Sequence, residues 1–339
     1  MKIGLVGYGG AGKSTVFSAL TGIDPSSGRG GLASIRVPDQ RVDALAQLCR
    51  PRKTTYAEIT FQDFPSGAFA PRGRSLGGAI LGEMRTLDVL AEVCDAFSQP
   101  LESAVQTVAD FRAELLLSDL AIVERRLERL ARERGDPGEQ RLLERVRRCL
   151  EEEQELRVLG LTQEEQRRLS GYRFLTLKPR ILVLNVSEEA VTGGPGPLAE
   201  RAADWDLEVV VMSAPIEREL AELAPQDART FLDDIGLDSG ARDRFIAACY
   251  RKLDLITFLT AGEDEVRAWP VRRGTSAVEA AAKVHSDIAR GFIRAEVVRV
   301  EDYLELGGEG ACRKAGKLAI EGRDYQVRDG DVIHFRFNV

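Results

Sequence analysis

The sequence predicts an α/β fold, and three observations carry that prediction. Residues 1–6 read as a short buried strand that runs into a glycine-rich turn and then a helix. The middle of the chain contains a leucine seam with the period of packed helices. From about residue 253 the chain has short alternating segments around one predicted helix, as small β-rich domains do. We therefore expect a sheet interrupted by a helical insertion and followed by a small β-rich domain.

The glycine-rich turn over residues 7–15 reads GYGGAGKST, a G-x-x-x-x-G-K-S motif between a strand and a helix. Glycines let successive backbone N–H groups turn inward around phosphate oxygens, and the helix adds partial positive charge at its first turn. Lys13 is the expected cation for the β- and γ-phosphates, and Ser14 is the expected hydroxyl ligand of Mg²⁺. The motif and its context favour a P-loop over a chance turn. The predicted nucleotide-binding residues of this loop are Gly7, Gly9, Gly10, Ala11, Gly12, Lys13, Ser14 and Thr15.

The composition excludes several other classes of protein. The 339 residues are 44% hydrophobic and 30% charged with a net charge of −7, which does not favour non-specific adhesion to nucleic acid. No stretch has the length of a membrane span, and residues 1–6 read as a strand rather than a signal peptide, so we expect a cytoplasmic protein with no membrane partner. The five cysteines are scattered and only two histidines occur, which argues against a disulfide framework or a zinc site.

Two segments after the first helix are candidates for the switch regions of a P-loop protein. Residues 22–31 are rich in glycine and serine, and the hydroxyl ligand of Mg²⁺ expected there has only weak candidates, Ser26, Ser27 and Ser34. An inert linker is an equally good interpretation. Asp63 follows a predicted strand over residues 57–62, the position of the usual Mg²⁺ carboxylate, although a strand-end turn residue is the alternative. The usual D-x-x-G spacing is here D-x-x-x-G, ending at Gly67.

The middle of the chain predicts an antiparallel helical hairpin. After a further predicted strand over residues 87–93, apolar residues recur at helical spacing, the pattern breaks at residues 135–138, and then it resumes. The seam consists of Leu116, Leu120, Val123, Leu127, Leu130, Leu142, Val146, Cys149 and Leu156. The dense charges around the seam indicate that the outer faces of the hairpin are solvated. The more specific alternative is that the hairpin is an arm that docks to a large partner.

Two further buried strands, over residues 180–184 and 207–212, end in polar residues that are candidates for reading the nucleotide base. Asn185 and Glu188 form an N-x-x-E pattern in place of the usual guanine-reading N-K-x-D. The longer carboxylate arm predicts weaker discrimination for guanine, so that ATP is accepted as well as GTP. Ser213 and Ala214 match the serine-alanine pair that supports the base. An ordinary polar turn after each strand is the alternative.

The C-terminal part predicts a ubiquitin-like β-grasp. Strands are expected over residues 255–259, 266–271, 317–320, 325–327 and 332–337, with one helix over residues 276–290. The complete prediction is a nucleotide-binding domain, a helical domain inserted into it and a C-terminal domain. Their boundaries are residues 1–100 with 176–252, residues 101–175, and residues 253–339.

This order of features resembles the YchF subfamily of Obg-like P-loop GTPases over nearly the whole chain. The most specific matches are the segments FLTLKP at 174–179, TAGEDEVRAW at 260–269, GFIRAE at 291–296 and DGDVIHFRF at 329–337. The resemblance implies a Ras-like G domain with an inserted α-helical hairpin and a C-terminal TGS domain of β-grasp fold. It also implies Mg²⁺-dependent hydrolysis of ATP and GTP by a cytoplasmic monomer that binds the large subunit of the ribosome. A cleft between the helical and TGS domains is then expected to accept RNA.

The sequence departs from the family pattern in places that bear on hydrolysis. The family loop G-L-P-N-V-G-K-S is altered at Tyr8-Gly9-Gly10-Ala11, and the first switch is shortened. The family also has a histidine implicated in hydrolysis in the loop that follows the strand ending at Asp63, whereas no histidine precedes His285 in this sequence. Lys13 and Asp63 remain the predicted catalytic residues, with Ser14 and Asp63 as metal ligands. The rival hypothesis is a hydrolysis-impaired, nucleotide-sensing module that docks to the ribosome or RNA. A small-molecule kinase is disfavoured because no recognisable set of lid arginines follows Asp63.

Overall fold

The chain divides into two compact units. The structure, a computed structural model, describes residues 1–24, 31–65, 67–133 and 135–338. The first unit contains Met1–Ser34 and Thr60–Cys249, and the second contains Ile35–Ile59 and Tyr250–Val339. The predicted boundaries place residues 35–59 in the nucleotide domain, whereas the structure groups them with the C-terminal unit, because a strand in this segment pairs with the second sheet.

The strands form two sheets of six strands each among the described residues. The strands are β1 (Lys2–Val6), β2 (Leu32–Arg36), β3 (Lys53–Thr55), β4 (Glu58–Gln62), β5 (Val89–Ala96), β6 (Arg180–Val186), β7 (Glu208–Met212), β8 (Leu255–Ala261), β9 (Glu265–Arg272), β10 (Phe292–Arg299), β11 (Ala319–Glu321) and β12 (Asp331–Phe337). The predicted strand over residues 325–327 is replaced by a single bridge between Ser276 and Gln326.

The described residues also form α-helices between these strands. They are α1 (Lys13–Thr21), α2 (Gln40–Cys49), α3 (Gly78–Met84), α4 (Leu101–Glu133), α5 (Pro137–Glu151), α6 (Gln163–Leu169), α7 (Leu198–Asp204), α8 (Ala214–Glu222), α9 (Pro225–Asp234), α10 (Ala241–Lys252), α11 (Ala277–Val284), α12 (Ser286–Arg290), α13 (Val300–Leu306) and α14 (Glu309–Lys314).

The first sheet has the order β2-β4-β1-β5-β6-β7. Strand β1 lies parallel to β4 and β5, and the pairs β5–β6 and β6–β7 are also parallel. Parallel strands end at the same edge of a sheet, and open α/β sheets bind ligands at that edge. The glycine-rich loop, Asp63, Asn185 and Ser213 follow or end these strands, so the topology brings the predicted site residues to one edge.

The predicted helical hairpin is present and is formed by α4 and α5. The two helices are antiparallel, as two ion pairs show. Arg126, toward the end of α4, lies 2.7 Å from Glu139 at the start of α5. Arg112, in the first half of α4, lies 3.4 Å from Glu155, which follows the end of α5. The predicted seam forms the core of the hairpin. Its buried members are Leu116, Val123, Leu130, Leu142, Val146, Cys149 and Leu156.

The first part of α4 belongs to the core beside the first sheet rather than to the hairpin. Ala104 and Val108 pack with Leu182 and Leu184 of β6, and Phe111 packs with Tyr8 of the glycine-rich loop. A single helix of 33 residues therefore carries two successive apolar faces. This continuity connects the hairpin directly to the sheet.

A buried charge cluster lies where the hairpin meets the sheet. The side chain of Arg180 on β6 is fully buried, and its guanidinium lies 2.5 Å from Glu92 of β5 and 2.5 Å from Glu155 of the hairpin base. Arg157 holds the second oxygen of Glu155 at 2.7 Å. Buried ions require such partners, because an unpaired buried charge is strongly destabilising.

The second sheet has the order β11-β10-β12-β8-β9-β3 and carries α11 against one face. Its core is apolar and includes Phe258, Ile333 and Phe335 packed with the alanines of α11. The predicted single helix over residues 276–290 is broken at His285, whose extended backbone ends α11 and whose ring accepts the Asp287 N–H to start α12. Two short helices that the sequence analysis does not predict, α13 and α14, follow β10.

Candidate nucleotide site

The glycine-rich loop has a backbone that requires glycine at defined positions. Gly7, Gly10 and Gly12 have φ values of 129°, 86° and 83°, which residues with a Cβ rarely adopt. A Cβ on Gly7 would lie 2.5 Å from the carbonyl oxygen of Val93, and one on Gly12 would lie 2.7 Å from Nδ2 of Asn185. Gly12 immediately precedes α1, so the loop delivers its backbone N–H groups to the start of a helix.

Lys13 is the first residue of α1, and its side chain folds back over the loop. The ammonium donates to the carbonyl oxygens of Tyr8 at 2.7 Å and of Gly7 at 3.0 Å. It also lies 4.6 Å from the centre of the Phe69 ring. Burial lowers the pKa of Lys13 to about 8, and the nearby Asp63 carboxylate opposes this effect. The arrangement holds a partly desolvated cation beside the loop, where an anionic ligand would interact with it strongly.

Ser14 and Asp63 form the second charged element of the site. The Ser14 hydroxyl donates to Oδ2 of Asp63 at 2.9 Å. Asp63 is buried, and its backbone N–H donates to the Gly31 carbonyl at 2.7 Å. Its other carboxylate oxygen, Oδ1, is buried and accepts no hydrogen bond from any described residue. A carboxylate with one unused oxygen beside a hydroxyl is a donor set of hard oxygens, which fits Mg²⁺.

The predicted base-reading residues differ in how close they lie to the loop. Asn185, near the end of β6, directs its amide toward Gly12. Ser213 is buried, and its hydroxyl has no hydrogen-bond partner among the described residues, while Ala214 is buried at the start of α8. Glu188 is exposed at the first position of a short 3-10 helix, Glu188–Gly193. The structure thus brings Asn185 to the loop and leaves Glu188 open to solvent.

The weak candidates for a first-switch ligand gain no support. Ser26 and Ser27 lie outside the described residues. Ser34 is on β2, and its hydroxyl lies 2.9 Å from that of Thr60 rather than beside Ser14 or Asp63. Thr15 is exposed in the first turn of α1, and Gly67 adopts a positive φ of 83° in a turn beyond Asp63.

Several residues around the loop are not predicted by the sequence analysis. Tyr8 lies within the loop and packs against Phe111, Phe69 and Ala70 contact the loop, and Phe97 follows the end of β5 with 60% of its surface exposed. Asp95, opposite Asn185 in the β5–β6 register, accepts the Phe97 N–H at 2.9 Å and so fixes the turn that presents this ring. The sequence contained one signal that the segment after Asp63 is unusual: its spacing is D-x-x-x-G, whereas P-loop GTPases usually have D-x-x-G.

The fold and this site define a P-loop nucleotide-binding protein with an inserted helical hairpin and a C-terminal β-grasp unit. The family model YchF-GTPase_C, described as a protein of unknown function (DUF933), matches residues 255–338. The "Ribosome-binding ATPase YchF" of Bacillus subtilis is 37% identical, with the whole of both chains covered. The "Obg-like ATPase 1" of Oryza sativa is 33% identical over the whole of this chain and 92% of its own length.

A solved structure shows the same architecture. The Schizosaccharomyces pombe YchF GTPase superimposes with a TM-score of 0.86 at 28% identity, covering 99% of this chain and 97% of that one. The chain belongs to the YchF family, as the sequence resemblance predicted. None of the helices that the structure describes is long and apolar enough to cross a membrane.

Proposed function

We propose that this protein binds and hydrolyses ATP or GTP in a Mg²⁺-dependent reaction and acts as a ribosome-associated regulator of translation. The observation that carries the proposal is the grouping of Lys13, Ser14 and Asp63 at the edge of the first sheet. The names of the curated relatives, ribosome-binding ATPases, support the ribosome as partner. We further propose that the protein is a cytoplasmic monomer and that it docks on the large subunit of the ribosome.

The chemistry asked of the site is positioning and charge neutralisation, which is what phosphoryl transfer requires. Ser14 and Asp63 are the residues that would hold Mg²⁺, and bound Mg²⁺ supplies positive charge to the β- and γ-phosphate oxygens. Lys13 adds a mobile cation at the same end of the loop. Asn185, with Ser213 and Ala214, would contact the base, and the exposed position of Glu188 supports relaxed discrimination between adenine and guanine.

The second candidate function is a nucleotide-sensing module that turns over slowly or not at all. It is favoured by the altered segment after Asp63 and by the absence of any histidine before His285 in the sequence. In this case the bound nucleotide determines the conformation of the protein, and docking to the ribosome depends on that conformation. Binding is common to both functions, so the rate of hydrolysis separates them.

Single-turnover hydrolysis of ATP and of GTP with Mg²⁺ tests the proposal. Wild type is compared with Lys13→Ala, and Lys283→Ala, an exposed residue of α11 in the second unit, is the matched control. Hydrolysis that is lost in Lys13→Ala and retained in Lys283→Ala supports the enzyme, and a strong preference for GTP contradicts the base assignment. Nucleotide binding without any turnover in wild type favours the sensing module.

A further inference from the structure

The segment that follows Asp63 returns to cover the phosphate loop. Phe69 is only 4% exposed, and the centre of its ring lies 4.6 Å from the Lys13 ammonium. The next residue contacts the loop through its backbone, since the Ala70 carbonyl accepts the Gly9 N–H at 3.0 Å. A Cβ on Gly9 would lie 3.2 Å from the Phe69 carbonyl oxygen, so the two backbones are in close contact. The Phe69 ring and the Ala70 main chain therefore both lie on the side of the loop where the Lys13 ammonium lies.

That side of the loop is where the terminal phosphates of a nucleotide are expected. The lysine of a P-loop contacts the β- and γ-phosphates, and Ser14 and Asp63 would hold Mg²⁺ beside them, where it would supply further positive charge. Phe69 and Ala70 thus compete with the outermost phosphate in two ways. The aromatic face already engages the cation, and the carbonyl already engages a backbone N–H. A carbonyl oxygen also repels phosphate oxygens, because both carry partial or full negative charge.

Packing around Phe69 holds it in this place. Its ring meets that of Phe64 edge to face, with centroids 5.3 Å apart. The turn between them is closed by the Ala68 N–H, which donates to the Pro65 carbonyl at 2.9 Å. Both rings belong to the apolar cluster that also contains Tyr8 and Phe111. Phe69 is therefore packed into the fold, and its displacement from the loop costs free energy.

We propose that Phe69 determines phosphate-number specificity, making this loop favour a nucleoside diphosphate over a triphosphate. A γ-phosphate has to take the Lys13 ammonium from the ring and displace Ala70 from Gly9, whereas a diphosphate leaves more of this contact intact. The proposal rests on the nucleotide site proposed above and adds a discriminating residue to it.

The test compares the affinities of four Mg²⁺ nucleotides for the full chain: ADP, GDP and their non-hydrolysable triphosphate analogues. Phe69→Leu removes the ring and keeps an apolar side chain, and Phe64→Leu does the same to the neighbouring ring that does not face Lys13. Given the usual strength of cation–π contacts, we expect Phe69→Leu to tighten triphosphate binding about fivefold and to change diphosphate binding less than about twofold. Phe64→Leu should leave the ratio of the two affinities near the wild-type value.

An unchanged affinity ratio in a folded Phe69→Leu protein would overturn the proposal while leaving the nucleotide site intact. Wild type that binds none of the four nucleotides would overturn the site itself. Hydrogen exchange on wild type gives a second measurement that needs no variant. The triphosphate analogue should speed exchange of the Gly9 amide and of residues 67–71 relative to the diphosphate. Equal exchange in the two complexes contradicts the proposal.

Discussion

The ring of Tyr8 in the phosphate loop meets the ring of Phe111 in α4 edge to face, with centroids 5.7 Å apart and planes at 86°. Both side chains are buried, and burial raises the pKa of Tyr8 to about 12, so the phenol stays neutral. Edge-to-face contact is a preferred geometry for aromatic pairs. The pair connects the glycine-rich loop, the predicted binding site for the nucleotide phosphates, to the helix that forms the hairpin, without an intervening residue.

Replacing Phe111 with alanine should destabilise the first unit by about 3–5 kcal/mol, because a buried aromatic ring leaves a cavity when it is removed. Urea unfolding followed by circular dichroism measures the change. Phe97→Ala is the matched control: its ring is 60% exposed, and its loss should change the free energy of unfolding by less than about 0.5 kcal/mol. Equal effects of the two substitutions would show that the Tyr8–Phe111 contact has no special weight.

Gly12→Ala should weaken nucleotide binding at least about tenfold while the protein remains folded. The new Cβ would adopt a φ of 83° and approach Nδ2 of Asn185 to 2.7 Å, and strain of this kind costs about 1–3 kcal/mol. Isothermal titration with ADP measures the loss. Gly22→Ala serves as the control, since Gly22 also has a positive φ at the end of α1 but has no atom within contact distance of its added Cβ. Its cost should fall on stability and not on affinity.

Asp63→Asn should remove the contribution of Mg²⁺ to nucleotide affinity. The substitution keeps the shape of the side chain but replaces the charged oxygen that accepts from Ser14 and the unused Oδ1 beside it. Affinities measured with Mg²⁺ and with a chelator should differ in wild type and converge in the variant. Glu58→Gln, an exposed carboxylate on the strand that precedes Asp63, should keep the wild-type difference. A retained Mg²⁺ effect in Asp63→Asn would exclude this residue as a ligand.

Acid should destabilise the second unit through Glu296. Hydrogen bonds from Arg336, Arg294 and Arg313 lower the pKa of this buried carboxyl from 4.5 to about 2. A depressed carboxyl pKa contributes stability that is present above the ordinary value and is lost as the pH falls through the folded value. We expect about 2 kcal/mol of unfolding free energy to disappear between pH 4.5 and about 2, a figure reduced because the arginines are partly exposed.

Trp269 fluorescence in a Trp205→Phe background follows this unit alone, because Trp269 lies in the second unit and Trp205 in the first. Glu296→Gln should flatten the acid dependence of unfolding. Glu301→Gln should not, since Glu301 is largely exposed and lies 3.8 Å from its single described arginine partner, Arg299. A steep acid transition that persists in Glu296→Gln would assign the effect to other carboxyls.

Local sequence patterns were sufficient to predict the elements that depend on them. The strand, loop and helix around Gly12 and Lys13 follow from a motif whose spacing has a direct physical cause, and the seam at Leu116 to Leu130 follows from helical periodicity. The position of Asn185 near the end of β6 is likewise indicated by the end of an apolar run. In each case the residues that decide the structure are neighbours in the chain.

Features that depend on distant contacts were not predictable in the same way. Strand β3 has only three residues and owes its place to pairing with β9, more than 200 positions along the chain. Phe69 lies in a segment without periodicity, so nothing local distinguishes a buried cover from a solvent-exposed loop. Arg180 reads as a charged strand boundary, and only the carboxylates of Glu92 and Glu155 explain its burial.

The burial of Arg180 makes the hairpin inseparable from the sheet that carries it. A shortened chain lacking residues 101–175 would lose Glu155 and leave a guanidinium in the core with one carboxylate where it had two. Breaking a buried ion network in this way is destabilising, because the guanidinium loses part of the compensation for its burial while Glu92 remains its partner. In evolutionary terms, loss of the hairpin would be less costly in a descendant in which Arg180 had already been replaced by an apolar residue.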